Sequence, residues 1–268
     1  TASNLNYTAG QSPTPNQVTV ALGATGQVSF FASGGPVNLI ADIAGYTTAA
    51  RLTSPQLAQN RWDQDLAKPA TIAVGTGPNG VAFDGTNIWV ANNTSNNVTR
   101  INAATGTVIG SPITVGTNPT GIAFDGTNMW VTNFNSASVT RINAATGTVV
   151  GSPIAVGTSP AGITFDGTNI WVANFFSDNV TRINAATGTV IGSPIAVGDG
   201  PVAIAFDGTN SWVTNSLANN VTRIDAATAT VVGSPIAVGT NSQSVAFDGT
   251  NMWVTSFGSN SVTKLRAG

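Results

Sequence analysis

One phrase of eleven residues returns five times along this chain. It reads AFDGTNIWVAN from Ala82, and close variants of it begin at Ala123, Thr164, Ala205 and Ala246. Its phenylalanine recurs every 41 residues, at Phe83, Phe124, Phe165, Phe206 and Phe247. A repeat of this length is one supersecondary unit, which buries its apolar surface by packing against its neighbours. The repeat therefore constrains the fold more than any other feature of the sequence.

Each repeat predicts four short β-strands. In the unit that begins at Gly121, the strands are GIAF, NMWVTN, SVTRIN and TVVGSPIAV, and turns rich in Gly, Pro and Asn separate them. The Val, Ile, Thr and Trp content favours strands, which excludes the helical repeats of similar length. Four antiparallel strands in a repeat of about 40–45 residues are typical of one blade of a β-propeller.

The ends of the repeat region predict how the ring closes. A match to the fourth strand, ATIAVGT from Ala70, precedes the first repeat, and the fifth repeat shows only three strands. Residues 64–268 correspond to five repeats of 41 residues. We therefore expect an all-β fold, a five-bladed β-propeller closed by its N-terminal strand, with Ile72 and Val74 paired near Val262 and Leu265. The alternative is that these blades are part of a larger ring.

The repeat resembles the YVTN-type β-propeller repeat of bacterial and archaeal surface proteins. Its FDG and ATGTVIGSPIAVG segments fit that family, and so do the WVAN, WVTN and WVTS motifs at Trp89, Trp130, Trp171, Trp212 and Trp253. Trp stands where the family usually has Tyr, and Ser256 stands where it has a closing Asn. The resemblance implies a propeller that is secreted or located at the cell surface, and it implies no particular activity.

Residues 1–46 do not share the period. Strand-like runs cover Gln17–Leu22, Gln27–Phe31 and Val37–Ile43, and the stretches TASNLNYTAGQ and VNLIADIAGY resemble half of a β-sandwich module of secreted bacterial surface proteins. So few strands are marginally stable alone. We expect a partial β-sandwich-like module over 1–46, a linker over 47–63 and self-association through the exposed edge of the module.

The composition excludes several classes of function. The chain has no cysteine, histidine or glutamate, so thiol chemistry and a Ser-His-Asp triad are absent and the commonest metal ligand is missing. The formal charge is −2 without a basic cluster, which argues against a nucleic-acid partner. No apolar run approaches the roughly 18 residues of a membrane span. We expect no enzymatic activity, no cofactor and no bound metal.

Three kinds of side chain occur once per repeat, and we predict a structural role for each. The aspartates of the first turn are Asp84, Asp125, Asp166, Asp207 and Asp248, and the alternative role is a cation site or a carboxylate pair. The basic residues of the third strand, predicted to bond aspartates or turn carbonyls rather than an anion, are Arg100, Arg141, Arg182, Arg223 and Lys264. We expect the tryptophans to pack between blades, and sugar stacking is their alternative.

Two of the four connections in each blade vary between repeats. These are the loop after the second strand and the loop between blades, which an up-and-down strand order places at the same end. Variable loops on a rigid scaffold commonly carry binding sites. The candidate ligand- or partner-binding residues are Phe134, Phe175, Phe176, Leu217, Phe257 and Asn93. The alternative is drift in loops that have no function.

The function expected from these features is a non-enzymatic binding or structural protein, secreted or at the cell surface. Its propeller would act as an interaction or adhesion platform for a protein or a surface glycan. A carbohydrate-binding lectin is the alternative. A propeller lyase or lactonase ranks below both, because such enzymes rely on histidine or on clustered acids, and this chain has no histidine.

Overall fold

The computed structural model describes residues 71–267. The predicted module over 1–46 and the linker over 47–63 therefore lie outside the described residues. The described residues belong to one compact unit, Pro69–Gly268, and form five antiparallel β-sheets, one for each repeat. This confirms the predicted five-bladed β-propeller fold. Within 71–267 no helix has both the length and the apolar character that crossing a bilayer would require.

The strands are numbered in chain order and the blades from 1 to 5. Blades 1 to 3 contain β1 Pro78–Phe83, β2 Asn87–Asn92, β3 Asn97–Asn102, β4 Ile113–Thr114, β5 Pro119–Phe124, β6 Asn128–Asn133, β7 Ser138–Asn143, β8 Ile154–Ala155, β9 Pro160–Phe165, β10 Asn169–Asn174, β11 Asn179–Asn184 and β12 Ile195–Ala196. Blades 4 and 5 contain β13 Pro201–Phe206, β14 Asn210–Asn215, β15 Asn220–Asp225, β16 Thr230–Val231, β17 Ile236–Ala237, β18 Ser242–Phe247, β19 Asn251–Ser256 and β20 Ser261–Arg266. One 3-10 turn, Phe134–Ser136, follows β6.

The register of the strands is the same in every blade. In blade 1, Trp89 on the second strand lies opposite Ala82 on the first strand and Arg100 on the third. The outer strand is short and pairs Val98 with Ile113. Because neighbouring side chains of a strand point to opposite faces of the sheet, each blade presents one apolar row to the preceding blade and another to the following one.

The core lies between the blades. Trp89 of blade 1 packs with Met129, Val131 and Ile142 of blade 2, and all four side chains are fully buried. Three equivalent clusters join blades 2 to 5. Both faces of the middle strands are therefore apolar, as expected for sheets that are covered on both sides.

The predicted closure of the ring is wrong. Residues 71–74 form no strand, and β20 has no partner on its outer side within the described residues. The first strands of successive blades contact one another from β1 to β18, but β18 and β1 form no comparable contact. Residues 71–74 instead lie beside blade 1, where Ile72 approaches Gly106 as Ile113 approaches Gly147 in the next blade. The segment matches a fourth strand, but it packs against the start of the array rather than its end.

Candidate functional site

The connections within and between the blades fall at two ends of the propeller. At one end, the turn after the first strand bonds to the turn after the third strand, as in Ala144 N donating to Thr127 O. At the other end, the loop after the second strand bonds to the loop that leads into the blade, as in Phe134 N donating to Asn118 O. Both pairings recur in all five blades. We call these two surfaces the turn end and the loop end.

At the turn end, the repeated aspartates hold their own turns. Asp125 Oδ1 accepts hydrogen bonds from Thr127 N at 2.7 Å and Asn128 N at 2.6 Å, and Oδ2 accepts one from Trp130 Nε1 at 2.7 Å. Gly126 has a φ of 96°, a value that favours glycine. The same arrangement recurs in the other blades, which confirms the structural role predicted for these residues.

Hydrogen bonds of this kind also favour the ionised form of Asp84. Partial burial raises the pKa of Asp84, but hydrogen bonds from Asn87, Trp89 and Thr86 outweigh it, so the pKa lies below its ordinary value. A carboxylate of this kind is a poor general acid near neutral pH. Among residues 71–267, no three acidic side chains come together in a group that could hold a metal ion.

The tryptophans and the basic residues of the third strand join neighbouring blades. The Arg100 guanidinium lies over the Trp89 ring, 5.5 Å from its centroid. Its Nη1 donates to Ala144 O at 3.1 Å and Ala145 O at 3.2 Å in blade 2. This confirms the predicted bonds to turn carbonyls, whereas the cation–π stacking was missed. The sequence signal for this stacking is that Trp89 and Arg100 occupy directly opposite positions on paired strands, as their counterparts do in each repeat.

At the loop end, the junction between blades 1 and 2 is polar. Asn93 Nδ2 donates to Pro119 O at 3.3 Å, and Asn93 Oδ1 accepts a hydrogen bond from Asn118 Nδ2 at 2.8 Å. Asn135 Nδ2 donates in turn to Asn118 Oδ1 at 2.5 Å. The candidate residue Asn93 is therefore engaged in holding two blades together.

The junction between blades 2 and 3 is aromatic. Phe134 lies 6.4 Å from both Phe175 and Phe176, measured between ring centroids. Phe175 and Phe176 contact each other edge to face at 4.9 Å. Phe134 and Phe175 are half-buried, whereas 66% of Phe176 is exposed. The structure thus brings three of the candidate residues into one cluster, which we call the aromatic cluster.

The loop that carries Phe175 and Phe176 has a fixed backbone. Thr158 N donates to Ser177 Oγ at 2.7 Å, and Asp178 adopts the left-handed region with a φ of 48°. Asp178 Oδ1 also accepts a hydrogen bond from Gly200 N at 2.8 Å in the loop that leads into blade 4. These contacts hold the cluster in place from both sides.

The remaining two candidate residues, Leu217 and Phe257, also lie at the loop end, outside the aromatic cluster. Leu217 and Phe257 occupy the equivalent loop in blades 4 and 5, and both side chains are exposed. Leu217 N donates to Asp199 O at 3.2 Å, which places it beside the loop that joins blades 3 and 4. Phe257 lines an open cavity of about 350 Å³ on blade 5 together with Gln243, Thr255 and Val262.

The charged side chains of the loop end are acidic and lie close to one junction between blades. Across the ten variable loops, the charged residues are Asp178 and Asp199, and both are exposed. Asp178 lies in the loop that carries Phe176, and Asp199 lies in the loop between blades 3 and 4, next to Gly200, whose N donates to Asp178 Oδ1. The sequence contains this signal in the change from NTSN and FNSA to FFSD.

Comparison with known proteins identifies the fold. No protein-family model matches the sequence, and no curated protein is similar to it. Solved structures that resemble it include hydrazine synthase of Kuenenia stuttgartiensis, with 25% identity and a TM-score of 0.61 over 70% of this chain and 58% of that chain. Another is a catalytically inactive histidine-to-alanine variant of virginiamycin B lyase from Staphylococcus aureus with quinupristin, with 20% identity and a TM-score of 0.60 over 71% and 66%.

A streptogramin B lyase is also similar, with 21% identity and a TM-score of 0.61 over 71% of this chain and 65% of that chain. This chain therefore spans less than two thirds of the length of each of these three structures. The likeness establishes a β-propeller.

The function predicted from the sequence is contradicted by these comparisons. It placed an adhesion or interaction platform first, a lectin second and a propeller lyase last. Two of the similar structures just described are lyases, and none of the three is described as an adhesion protein. Adhesion had been inferred from the family resemblance and from exposed loop residues, neither of which carries information on a partner.

Proposed function

We propose that the loop end binds a small ligand that bears an apolar ring and is neutral or positively charged, and that the protein does not convert it chemically. The observation that carries this proposal is the aromatic cluster of Phe134, Phe175 and Phe176, together with two acidic residues: Asp178, which ends the loop of Phe176, and Asp199, which precedes the Gly200 that bonds Asp178. The similar structure of virginiamycin B lyase was determined with quinupristin.

The cluster supplies apolar surface that is already ordered. Covering exposed apolar surface contributes about 25 cal/mol per Å², and a well-oriented pair of aromatic rings adds about 0.5–1.5 kcal/mol. Because backbone hydrogen bonds hold Phe134 and Phe175 in place, a ligand orders few side chains when it binds. The exposed ring of Phe176 is the contact that a ligand covers first.

The carboxylates determine which charge the ligand carries. No lysine or arginine occurs in the variable loops, so an anionic ligand would meet Asp178 and Asp199 without a compensating cation. A cation over the face of a phenylalanine gains about 0.5–1 kcal/mol at an exposed site. The aromatic and acidic surfaces therefore favour the same class of ligand.

The side chains that the chain contains support binding without chemical conversion. It has no histidine, glutamate or cysteine, and the similar lyase is inactive when a histidine is replaced by alanine. The repeated aspartates lie at the opposite end of the blades and are engaged by Trp Nε1 and backbone N–H groups. Asp178, the carboxylate of the loop that carries Phe176, is engaged by Gly200 N.

We also propose that the repeat is of the YVTN type. The WVTN-type motifs and the flanking FDG segments support assignment to the YVTN-type repeat, and with it a secreted or cell-surface location. A protein or surface-glycan partner and self-association through residues 1–46 are predictions from the sequence, and residues 71–267 do not test them.

Binding is tested with two matched probes, phenyltrimethylammonium and benzenesulfonate, by saturation-transfer difference NMR on the full chain. We expect saturable transfer to the cation and little to the anion. Phe176→Ser should abolish the transfer, and Asp178→Asn should weaken it several-fold.

The matched control is Phe83→Ser, which removes an exposed phenylalanine beside the turn end. It should leave the transfer unchanged. Equal transfer to benzenesulfonate, or a loss of transfer in the Phe83 variant, would contradict the proposal.

A further inference from the structure

The four interfaces between the blades share one arrangement. The face that a blade presents to the following blade carries a tryptophan of the second strand and a valine of the third, such as Trp130 and Val139, which are fully buried. The face that receives them carries apolar residues such as Ile170 and Val172. These interfaces therefore show which kind of surface could pack against the free face of blade 1 and the free face of blade 5.

In blade 5, the face that the other blades present to the following blade is uncovered. Trp253 is 39% exposed, whereas its four counterparts are 0% exposed. Val262 is 58% exposed, although its counterparts on the third strands of blades 1 to 4 are fully buried. Together with Gln243 and Thr255, Val262 lines the open cavity of blade 5. The Lys264 ammonium lies 5.4 Å from the centre of the Trp253 ring, as the arginines do in the other blades.

Blade 1 presents the matching receiving face. Val81 is 65% exposed, whereas Ile122, which occupies the same position in blade 2, is 9% exposed. Ile88 and Val90 are half-buried where Met129 and Val131 are fully buried. Residues 71–74 extend this face, because Ile72 beside Gly106 occupies the place that an outer strand takes next to the following blade.

We propose that blade 5 of one copy of this protein docks on blade 1 and residues 71–74 of a second copy, head to tail. The interfaces between the blades define the contacts. Val98 pairs with Ile113 within blade 1, so Val262 pairs with Ile72 of the second copy, and Ser261 pairs with Ala73. Arg100 donates to Ala144 O, so the Lys264 ammonium donates to Ala103 O of the second copy. Residues 71–74 thereby become the missing outer strand of blade 5.

A second copy fits better than the chain's own first blade. Closure within one chain would bring β18 to β1, which lack the contact that the other first strands make, and would change the angle at all four existing interfaces. Those interfaces bury their tryptophans completely, and closely packed interiors resist such changes. Docking of a second copy leaves the interfaces intact and covers an unpaired strand edge as well as an apolar face. A head-to-tail contact of this kind forms a larger ring or an open chain of copies.

The absence of cysteine from the chain permits a direct test. Full-length Ala73→Cys protein is mixed with full-length Ser261→Cys protein, oxidised, and run on a non-reducing gel with one of the two carrying a mass tag. We expect a mixed disulfide-linked dimer as the main product and a ladder of multimers from the double variant. Oxidation of either single variant alone should give at most a minor dimer.

Three outcomes would overturn the proposal. A double variant that links within one chain shows that the ring closes on itself, and thiols that stay free show that another segment or solvent covers the faces. Light scattering on the protein without cysteines provides the second measurement. The apparent mass should rise with concentration, and Val262→Asp or Val81→Asp should return it to that of one chain while the circular dichroism is retained. The mass of a single chain at every concentration would also refute the docking.

Discussion

The turn end and the loop end are built from the same repeat, but they use their side chains differently. At the turn end, the aspartate of every first turn accepts a hydrogen bond from a tryptophan of its own blade, and Arg100, Arg141 and Arg182 each donate to a carbonyl of the next blade. At the loop end, the junction between blades 1 and 2 is held by asparagine amides and that between blades 2 and 3 by phenylalanine rings. The difference shows that one end is committed to joining blades, whereas the other keeps the backbone contacts and leaves side chains exposed.

The largest effect that would test this contrast is the loss of an interior tryptophan. Trp171→Ala removes a fully buried ring that packs against Val213 and Ile224 of blade 4. Replacing a buried aromatic residue by alanine costs about 3–5 kcal/mol, because a cavity is left behind. Phe176→Ala, at the exposed loop end, should cost only about 0.5 kcal/mol. Urea unfolding followed by circular dichroism measures both, and similar costs for the two variants would remove the distinction between the ends.

An intermediate effect is expected from the carboxylates of the turn end. Asp207→Asn places an NH₂ group where one oxygen accepted a bond, so either the buried Trp212 Nε1 or the backbone of the turn loses its partner. A buried donor without an acceptor costs about 1–3 kcal/mol. The unfolding free energy at pH 7 should fall by that amount.

The same variant should change the response to acid. Burial raises the pKa of Asp207, but hydrogen bonds from Asn210, Trp212 and Thr209 outweigh it, and the pKa lies below 3.8. A group with a lowered pKa stabilises the folded state above its unfolded pKa, and this contribution is lost as the pH falls through the folded pKa. The difference between wild type and variant should therefore stay constant down to about pH 4.5 and shrink at lower pH. A difference that grows on acidification would show that this aspartate is not stabilised by these bonds.

The smallest effect concerns the one loop-end carboxylate that also joins two blades. Asp178 Oδ1 accepts a hydrogen bond from Gly200 N, and Asn96 and Asn219 make the same contact in blades 1 and 4. Asp178→Asn should therefore leave the unfolding free energy unchanged within about 0.5 kcal/mol, whereas Asp178→Ala should lower it by about 1 kcal/mol. Thermal unfolding of the two variants distinguishes the roles. A loss of stability in the Asn variant would mean that the charge itself holds the loop end together.

The interior of each blade was predictable from the sequence, because local rules determine it. The alternation of Ile88, Trp89, Val90 and Ala91 along one strand requires a sheet covered on both faces, and the DGT turn requires an aspartate acceptor followed by a glycine at positive φ. The 41-residue step then repeats the blade. The loops could be sorted into two ends for the same reason, since the direction of each strand determines where it finishes.

The sequence by itself thus determined the blade, the number of repeats and the end at which each connection lies. Only the tertiary structure decided that Phe134 meets Phe175 and Phe176, that Asn93 is used between blades and that blade 5 is not closed by residues 71–74. The physical reason is that the period of a repeat constrains contacts within a blade and between neighbours. The contacts of a particular loop depend on its own side chains, and the contact between the first and last blades depends on the angle accumulated over four interfaces, which no local pattern encodes.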